Sequence, residues 1–226
     1  MLKKILALSI AAAVIPQAAS AALIVTPTMS FEGVADSTPL AGLGIYNDAA
    51  HFHTTFSGGG TVLRSVDIGG SGAFPGKPSP DFPDPHPTAV TTTATSIALL
   101  VGDAGGATEL TFSYSALAAF SLFVDGSTVG ITIPKFGNVG CGDSPFTGGP
   151  YNLCDWTTLT FKFGSAAHSF AFSGATGQQL LDDFILRRPD VAASGVPEPA
   201  TFGLLALGLA ASVASRRRKP PHTRAA

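Results

Sequence analysis

The chain has 226 residues, including 26 glycines and 16 phenylalanines, and its formal net charge is −2 at pH 7. Seven of its 13 basic residues lie in the two terminal segments, so residues 22–195 hold six basic and 14 acidic residues, a net charge of −8. A body this acidic repels phosphate backbones, which excludes nucleic acid as an expected partner and favours divalent cations and neutral polymers.

The first 21 residues predict a secretory signal peptide. Lys3 and Lys4 precede an apolar run, Ile5 to Ile15, and the Ala-Ser-Ala triplet at 19–21 offers the small residues that signal peptidase recognises. The apolar run is too short to span a bilayer as a stable helix. We therefore expect export through the Sec translocon, cleavage by signal peptidase and a mature chain that begins at Ala22.

Residues 22–190 predict one all-β domain, an antiparallel β-sandwich. Apolar and polar residues alternate with period two; "ELTFSYS", for example, puts Leu110, Phe112 and Tyr114 on one face, and "TLTFKF" at 158–163 repeats the pattern. Further candidate strands are 51–56, 62–68, 97–101, 120–124, 129–133, 169–172 and 181–186. About nine short strands without a long helical period indicate two packed antiparallel sheets.

A proline-rich stretch at residues 69–88 interrupts the strand pattern. Its six prolines favour extended backbone and cannot enter a central strand. The stretch is either a stiff connector across the end of the sandwich or a binding loop that carries Phe74, Phe82 and His86. We favour the connector.

The two cysteines, Cys141 and Cys154, predict a disulfide because export places them in an oxidising compartment. Closing a loop of this length contributes about 3 kcal/mol through loop-closure entropy. A metal half-site would need a C-x-x-C spacing or nearby histidines, so we favour the disulfide.

Candidate catalytic residues are few, and we assign none. His51 and His53 lie on one face of a predicted strand, as two metal ligands or an acid–base pair would, but no third ligand is evident nearby and an exposed edge is favoured. Ser71 and Ser144 lack a nucleophile elbow and a placed base. Trp156 is either a sugar-stacking platform or, as we favour, a packing residue. A metal-dependent enzyme is the least favoured interpretation.

The C-terminal segment begins with a linker at 191–195 and continues with an extended strip. Pro197 and Pro199 hold Val196 and Glu198 extended, in the conformation that a protease needs. The 16 residues at 200–215 are apolar or small and predict a single transmembrane helix of about 24 Å, which flanking arginines can extend by snorkelling.

A basic cluster then predicts a membrane stop on the cytoplasmic side. It consists of Arg216, Arg217, Arg218 and Lys219. We expect residues 220–226 to form a disordered tail.

The order of extended strip, short membrane run and basic stop resembles the PEP-CTERM protein-sorting signal of Gram-negative bacteria, here with Pro197, Glu198 and Pro199 as its name-giving triplet. The resemblance covers residues 196–219. It implies processing by exosortase, a membrane-embedded transpeptidase-like enzyme that accompanies exopolysaccharide production and biofilm formation. The alternative is a permanent single-pass anchor.

This resemblance also implies a location and a role. The chain is expected to be anchored in the inner membrane with a periplasmic ectodomain and then to reach the cell surface or the medium after processing. We expect a non-enzymatic structural or adhesive component of the extracellular matrix. The alternative is a carbohydrate-binding module for the exopolysaccharide.

Carboxylates lie at both ends of the predicted sandwich: Glu32 in "SFEG", and Asp182 and Asp183 in "LLDDFIL". The body resembles jelly-roll carbohydrate-binding modules and galactose-binding-like domains, in which the matching Glu and Asp hold a structural calcium. The resemblance implies a calcium site of Glu32 with Asp183, or alternatively with Asp182. Ordinary surface carboxylates at strand ends are the alternative.

Overall fold

The computed structural model describes residues 22–77, 86–137, 142–145, 149 and 151–190, and these contain ten strands and one 3-10 turn. The strands are β1 (Leu23–Val25), β2 (Thr38–Pro39), β3 (Thr54–Arg64), β4 (Thr88–Val101), β5 (Ala107–Ala116), β6 (Phe120–Val124), β7 (Ile131–Ile133), β8 (Thr157–Ala167), β9 (Ser169–Ser173) and β10 (Gln179–Pro189). The turn covers Val66–Ile68. The predicted all-β class is confirmed.

All ten strands belong to one antiparallel sheet with the order β7-β6-β9-β4-β10-β5-β8; β3 pairs with β4, β2 with β3, and β1 with β10. Strand β4 pairs with β10 at Val90 and Thr91 and with β9 from Ser96 to Leu100. The two predicted layers are therefore parts of one curled sheet, joined through β4.

The sheet curls enough to bring distant strands into contact across a phenylalanine core. The ring of Phe184 on β10 lies 5.7 to 6.3 Å, between ring centroids, from those of Phe31, Phe56, Phe112 and Phe172. Phe172 belongs to β9, which two strands separate from Phe112 on β5 in the sheet order, and their rings are 5.0 Å apart. Phe184 thus connects both arms of the curled sheet.

A smaller apolar cluster covers the opposite face of the same strands. Phe74, Ala89, Leu153 and Leu180 are buried there, and Trp156 packs against them. Ala89 and Leu180 alternate with Val90 and Leu181, which belong to the main core, because successive strand residues point to opposite faces. This second face carries the candidate site.

The predicted strand that begins at His51 is wrong in its first part. Strand β3 begins at Thr54, while Phe52 and His53 have φ angles of +55° and +51° in the turn before it. His51 and His53 therefore do not share a strand face.

Both terminal segments, with the predicted signal peptide at 1–21 and the sorting segment at 191–226, lie outside the described residues. Leu23–Pro189 forms one compact unit. Within the described ranges, no helix is long and apolar enough to cross a membrane.

Candidate functional site

A β-bulge in β10 sets the position of two consecutive carboxylates. Asp182 pairs with Ser113 of β5, but the next pair is Ile185 with Thr111, and Asp183 in between has a φ of +51°. A bulge adds an unpaired residue and re-aims the side chains beside it. Both aspartates can therefore face His86, which lies 96 residues earlier in the chain than Asp182.

His86 forms close contacts with both carboxylates. Its Nδ1 lies 3.0 Å from Oδ2 of Asp182 and 3.4 Å from Oδ2 of Asp183. The side chain of Asp182 is fully buried, that of His86 is 10% exposed and that of Asp183 is 35% exposed. One candidate ligand atom from each residue lies within 4.8 Å of the other two. The cluster is thus closed on the Asp182 side and open to solvent at Asp183.

Trp156 closes one face of the imidazole. The indole and imidazole rings are stacked with centroids 4.0 Å apart and an interplanar angle of 24°. The indole also meets Phe74 edge-on, at 6.3 Å between centroids. These contacts agree with a packing role for Trp156.

Asp182 is electrostatically unusual because it is a fully buried carboxyl group. Burial raises its pKa to about 7, the negative charge of Asp183 acts in the same direction, and the hydrogen bond and charge of His86 oppose the rise. Its second oxygen, Oδ1, is buried and has no hydrogen-bond partner among the described residues. Buried polar atoms are satisfied in the great majority of cases, so this oxygen is available to a ligand.

Glu32, the first residue of the predicted calcium pair, lies on the same side of the molecule as the aspartates. Burial raises the pKa of Tyr46, and the charges of Asp182, Glu32 and Asp183 add to that rise, so all three carboxylates act on one hydroxyl. Glu32 itself accepts a hydrogen bond from Ser30. Calcium prefers hard oxygen ligands such as these carboxylates, and the calcium pair stays a prediction.

The sequence indicates His86 only as part of a binding loop, the less favoured interpretation of the proline-rich stretch, and gives no link between His86 and the aspartates. Glu32 is not a member of the group of three within 4.8 Å. Among the described residues, no other group of three His, Cys, Asp or Glu gathers in this way. The prolines on either side of His86 were the available signal in the sequence, because proline restricts the backbone.

The other two predicted histidines have separate partners. The ring of His51 binds Asp48, with Nδ1 2.9 and 3.0 Å from the two carboxylate oxygens, and this hydrogen bond lowers the pKa of Asp48. His53 lies near Asp103, whose carboxylate forms an ion pair of 2.8 Å with Arg188.

Ser144, one of the two serines without a nucleophile elbow, is buried, and its hydroxyl donates a hydrogen bond to Asp67. Cys154 is also buried. Its predicted disulfide partner, Cys141, lies outside the described residues, and the disulfide stays a prediction.

A shallow pocket of about 200 Å³ lies on the same face as the cluster. Its lining combines apolar side chains, such as Phe74 and Leu153, with Asn152, Ser71 and Thr91. The Oγ1 atom of Thr91 is buried and has no hydrogen-bond partner among the described residues.

The family comparison identifies the C-terminal segment. The PEP-CTERM protein-sorting motif matches residues 195–219. This motif implies an exported protein that exosortase sorts and that is membrane-anchored before processing. No curated protein sequence matches the chain.

Several solved structures are similar to the ectodomain in a general way. The K2 cleaved adhesin domain of Lys-gingipain has 16% identity and a TM-score of 0.43, and the match covers 70% of this chain and 97% of that one. The CBM35 domain from Paenibacillus barcinonensis has 13% identity and a TM-score of 0.30, with coverages of 61% and 93%. The catalytic unit of a GH87 alpha-1,3-glucanase from Streptomyces thermodiastaticus has 17% identity and a TM-score of 0.35, with coverages of 80% and 29%.

Proposed function

We propose that this protein is a non-enzymatic structural or adhesive component of the cell surface or extracellular matrix, associated with exopolysaccharide and biofilm. The observation that carries the proposal is the PEP-CTERM motif at residues 195–219. An acidic ectodomain that does not attract polyanions supports it, because such a surface suits neutral glycans and divalent cations. The ectodomain is in this view a jelly-roll-like sandwich used for contact rather than catalysis.

The proposed route has three steps. The Sec translocon exports the chain and signal peptidase removes residues 1–21. The apolar run at 200–215 then holds the protein in the inner membrane, with the ectodomain in the periplasm and the basic cluster at 216–219 in the cytoplasm. Exosortase finally cuts near Val196–Pro199 and releases the ectodomain towards the surface.

The proposal is tested by locating the protein in fractions of the native host. Glu198→Ala removes the acidic residue of the motif, and we expect the protein to accumulate in the inner membrane and to disappear from the matrix fraction. Arg224→Ala, outside the motif, is the matched control and should leave the distribution unchanged. Equal amounts of the Glu198→Ala variant and the wild type in the matrix would refute the sorting step.

The matrix role has its own test. Deleting the gene should reduce the mass of biofilm and the polysaccharide that it retains, and the wild-type gene should restore both. Unchanged biofilm mass and unchanged polysaccharide in the deletion strain would contradict the matrix role.

A structural calcium held by Glu32 and Asp183 belongs to the same proposal. The backbone bridge between Met29 and Phe184 supports it, because it brings the segment that leads to Glu32 beside the bulge that carries Asp183. A ligand that binds only the folded state raises the melting temperature as its concentration rises. Calcium should therefore raise the melting temperature of the wild type and leave that of Glu32→Gln unchanged; equal shifts would contradict the assignment of Glu32.

The second candidate function is carbohydrate binding at the shallow pocket. The mixed lining and the buried, unpartnered Thr91 hydroxyl favour it. Retardation in a native gel that contains the host's exopolysaccharide, lost in Asn152→Ala and kept in the control Asn47→Ala, would support this function. Identical mobility with and without polysaccharide would exclude it.

A further inference from the structure

We propose that His86, Asp182 and Asp183 form a binding site for zinc or a similar imidazole-preferring divalent metal, which fastens the end of the proline-rich stretch to strand β10. This site goes beyond the proposed function and does not depend on it. It shares Asp183 with the proposed calcium pair, so the two ions compete for this carboxylate, but it uses a nitrogen ligand and does not use Glu32.

Two of the three distances between the ligand atoms are close to those of such a metal site, and the third is at most 4.8 Å. Zinc ligands lie about 2.0–2.2 Å from the ion, so neighbouring ligand atoms in a tetrahedron are roughly 3.3–3.6 Å apart. Nδ1 of His86 lies 3.0 Å from the nearest oxygen of Asp182 and 3.4 Å from that of Asp183. A bound ion would need only small adjustments of these side chains.

The unpartnered oxygen of Asp182 is an independent indication of a ligand. Asp182 is fully buried, yet its Oδ1 has no hydrogen-bond partner among the described residues. A hydrogen bond from His86 alone leaves this oxygen desolvated and uncompensated, which is costly. A cation between the three side chains would compensate the negative charge of both aspartates.

The donor set selects the class of metal. Imidazole nitrogen suits zinc and its neighbours in the first transition row, whereas calcium and magnesium prefer sites built from oxygen alone. The imidazole is held in place by the stacked indole of Trp156, which limits the rotation of the ring. An ion can enter where the side chain of Asp183 is 35% exposed.

A structural role follows from where the three ligands lie. His86 is at the end of the proline-rich stretch, while Asp182 and Asp183 belong to the bulge of β10. One ion would therefore join a long connection to a central strand. Such cross-links stabilise the folded state because the unfolded chain does not hold the ligands together.

The test uses the full-length chain without an affinity tag, purified in detergent without chelators. Trp156 is the only tryptophan, so its fluorescence reports directly on the imidazole with which it is stacked. We expect zinc to bind with one ion per chain and to change the Trp156 emission, and we expect cobalt to quench it.

Three variants separate this site from the alternatives. His86→Ala removes a ligand, and Asp183→Asn removes a charge while keeping a residue that tolerates positive φ, so the fold should survive. Both should weaken zinc binding by at least about tenfold, since even the loss of an outer-shell partner costs roughly 10–100-fold in metal affinity. His51→Ala is the matched control, because it breaks another His–Asp pair and should leave zinc binding unchanged.

Specific results would overturn the proposal. The site is refuted if the wild type binds no zinc, or if Asp183→Asn retains the circular dichroism spectrum and the zinc affinity of the wild type. It is also refuted if zinc binding is lost in His51→Ala rather than in His86→Ala. If calcium bound the cluster as tightly as zinc, the proposal would also be overturned, because the cluster would then have no preference for metals that bind imidazole.

Discussion

The buried carboxylate of Asp67 joins segments of the chain that are far apart in sequence. It accepts a backbone hydrogen bond of 3.0 Å from Gly76, one from the hydroxyl of Ser144, and one of 2.5 Å from the hydroxyl of Tyr151. Burial alone would raise the pKa of this carboxyl group, but the hydrogen bonds outweigh burial and lower it. Burial and the same carboxylate raise the pKa of Tyr151 to about 12.

This network predicts a pH-dependent effect of Asp67→Asn. Because the pKa of Asp67 is lower in the folded than in the unfolded state, its stabilisation is present above the unfolded value, near pH 4, and is lost as the pH falls through the folded value. The variant should lower the free energy of unfolding by about 1–3 kcal/mol at pH 7, with a smaller difference from wild type below pH 4. Urea unfolding at several pH values measures both.

Asp48→Asn serves as the control for Asp67→Asn, because Asp48 is exposed and its ring partner His51 lies three residues away. We expect little change in unfolding for this variant. A loss at pH 7 as large as that of Asp67→Asn would mean that the effect does not come from the buried network.

The residues of the candidate site show the limit of sequence reasoning at this scale. The pair Asp182 and Asp183 is visible as a motif, and its position on a late strand is predictable. The contact of His86 with these aspartates is not predictable, because it depends on a bulge in β10 and joins residues that lie 96 positions apart. Alternation of polar and apolar residues also predicts a strand at His51 and His53. These residues form a turn instead, because a short turn can show the same alternation.

At the scale of elements, the sheet turns where β3 passes Gly58. The register with β4 jumps from Gly58–Ile97 to Gly60–Thr92, and β4 changes its other neighbour from β10 to β9 in the same region. Gly58 has a φ of +88°, and a Cβ atom there would lie 2.5 Å from the carbonyl oxygen of Ser96. Only glycine fits this corner.

Gly58→Ala should therefore destabilise the fold by about 1–3 kcal/mol, because it combines a strained backbone angle with a steric clash. Gly164→Ala on β8 is the matched control, since no atom within 4 Å would meet the new Cβ. It should be neutral or slightly stabilising. The melting temperatures of both variants measure these effects. A Gly58→Ala protein as stable as the wild type would contradict the requirement for glycine at this corner.

Strand prediction worked where alternation was clean and failed at this corner. Strand β6 has the predicted bounds, Phe120–Val124, and the alternation of β5 and β8 is as predicted. The candidates at 51–56 and 62–68 are instead largely one strand, β3, because the three glycines at 58–60 read as a break and are a bend within the strand. The first half of β4, rich in threonine, gave no apolar period.

At the scale of the whole molecule, Phe184 connects the two arms of the curled sheet. Its ring packs against rings from β3, β5 and β9 and from the segment before β2. Because the main core is shared by both arms, we expect the ectodomain to unfold as one cooperative unit rather than as two layers that unfold separately.

Phe184→Ala should lower the free energy of unfolding by about 3–5 kcal/mol, because it leaves a cavity at the centre of the core. Phe136→Ala is the control, since the side chain of Phe136 is exposed. Denaturant unfolding followed by two probes, far-ultraviolet circular dichroism and Trp156 fluorescence, should give coincident transitions. A small loss of stability that only one probe detects would show that the two arms of the sheet unfold independently.

Intact-mass spectrometry distinguishes a processed sorting signal at the C-terminus from a permanent membrane anchor. The protein is recovered from the culture supernatant and the membrane fraction of the native host, with and without exosortase. We expect a product that begins at Ala22 and ends near Pro199, and we expect it only in the strain that has exosortase. A chain that retains Arg216–Arg218 in the membrane of both strains would contradict this expectation.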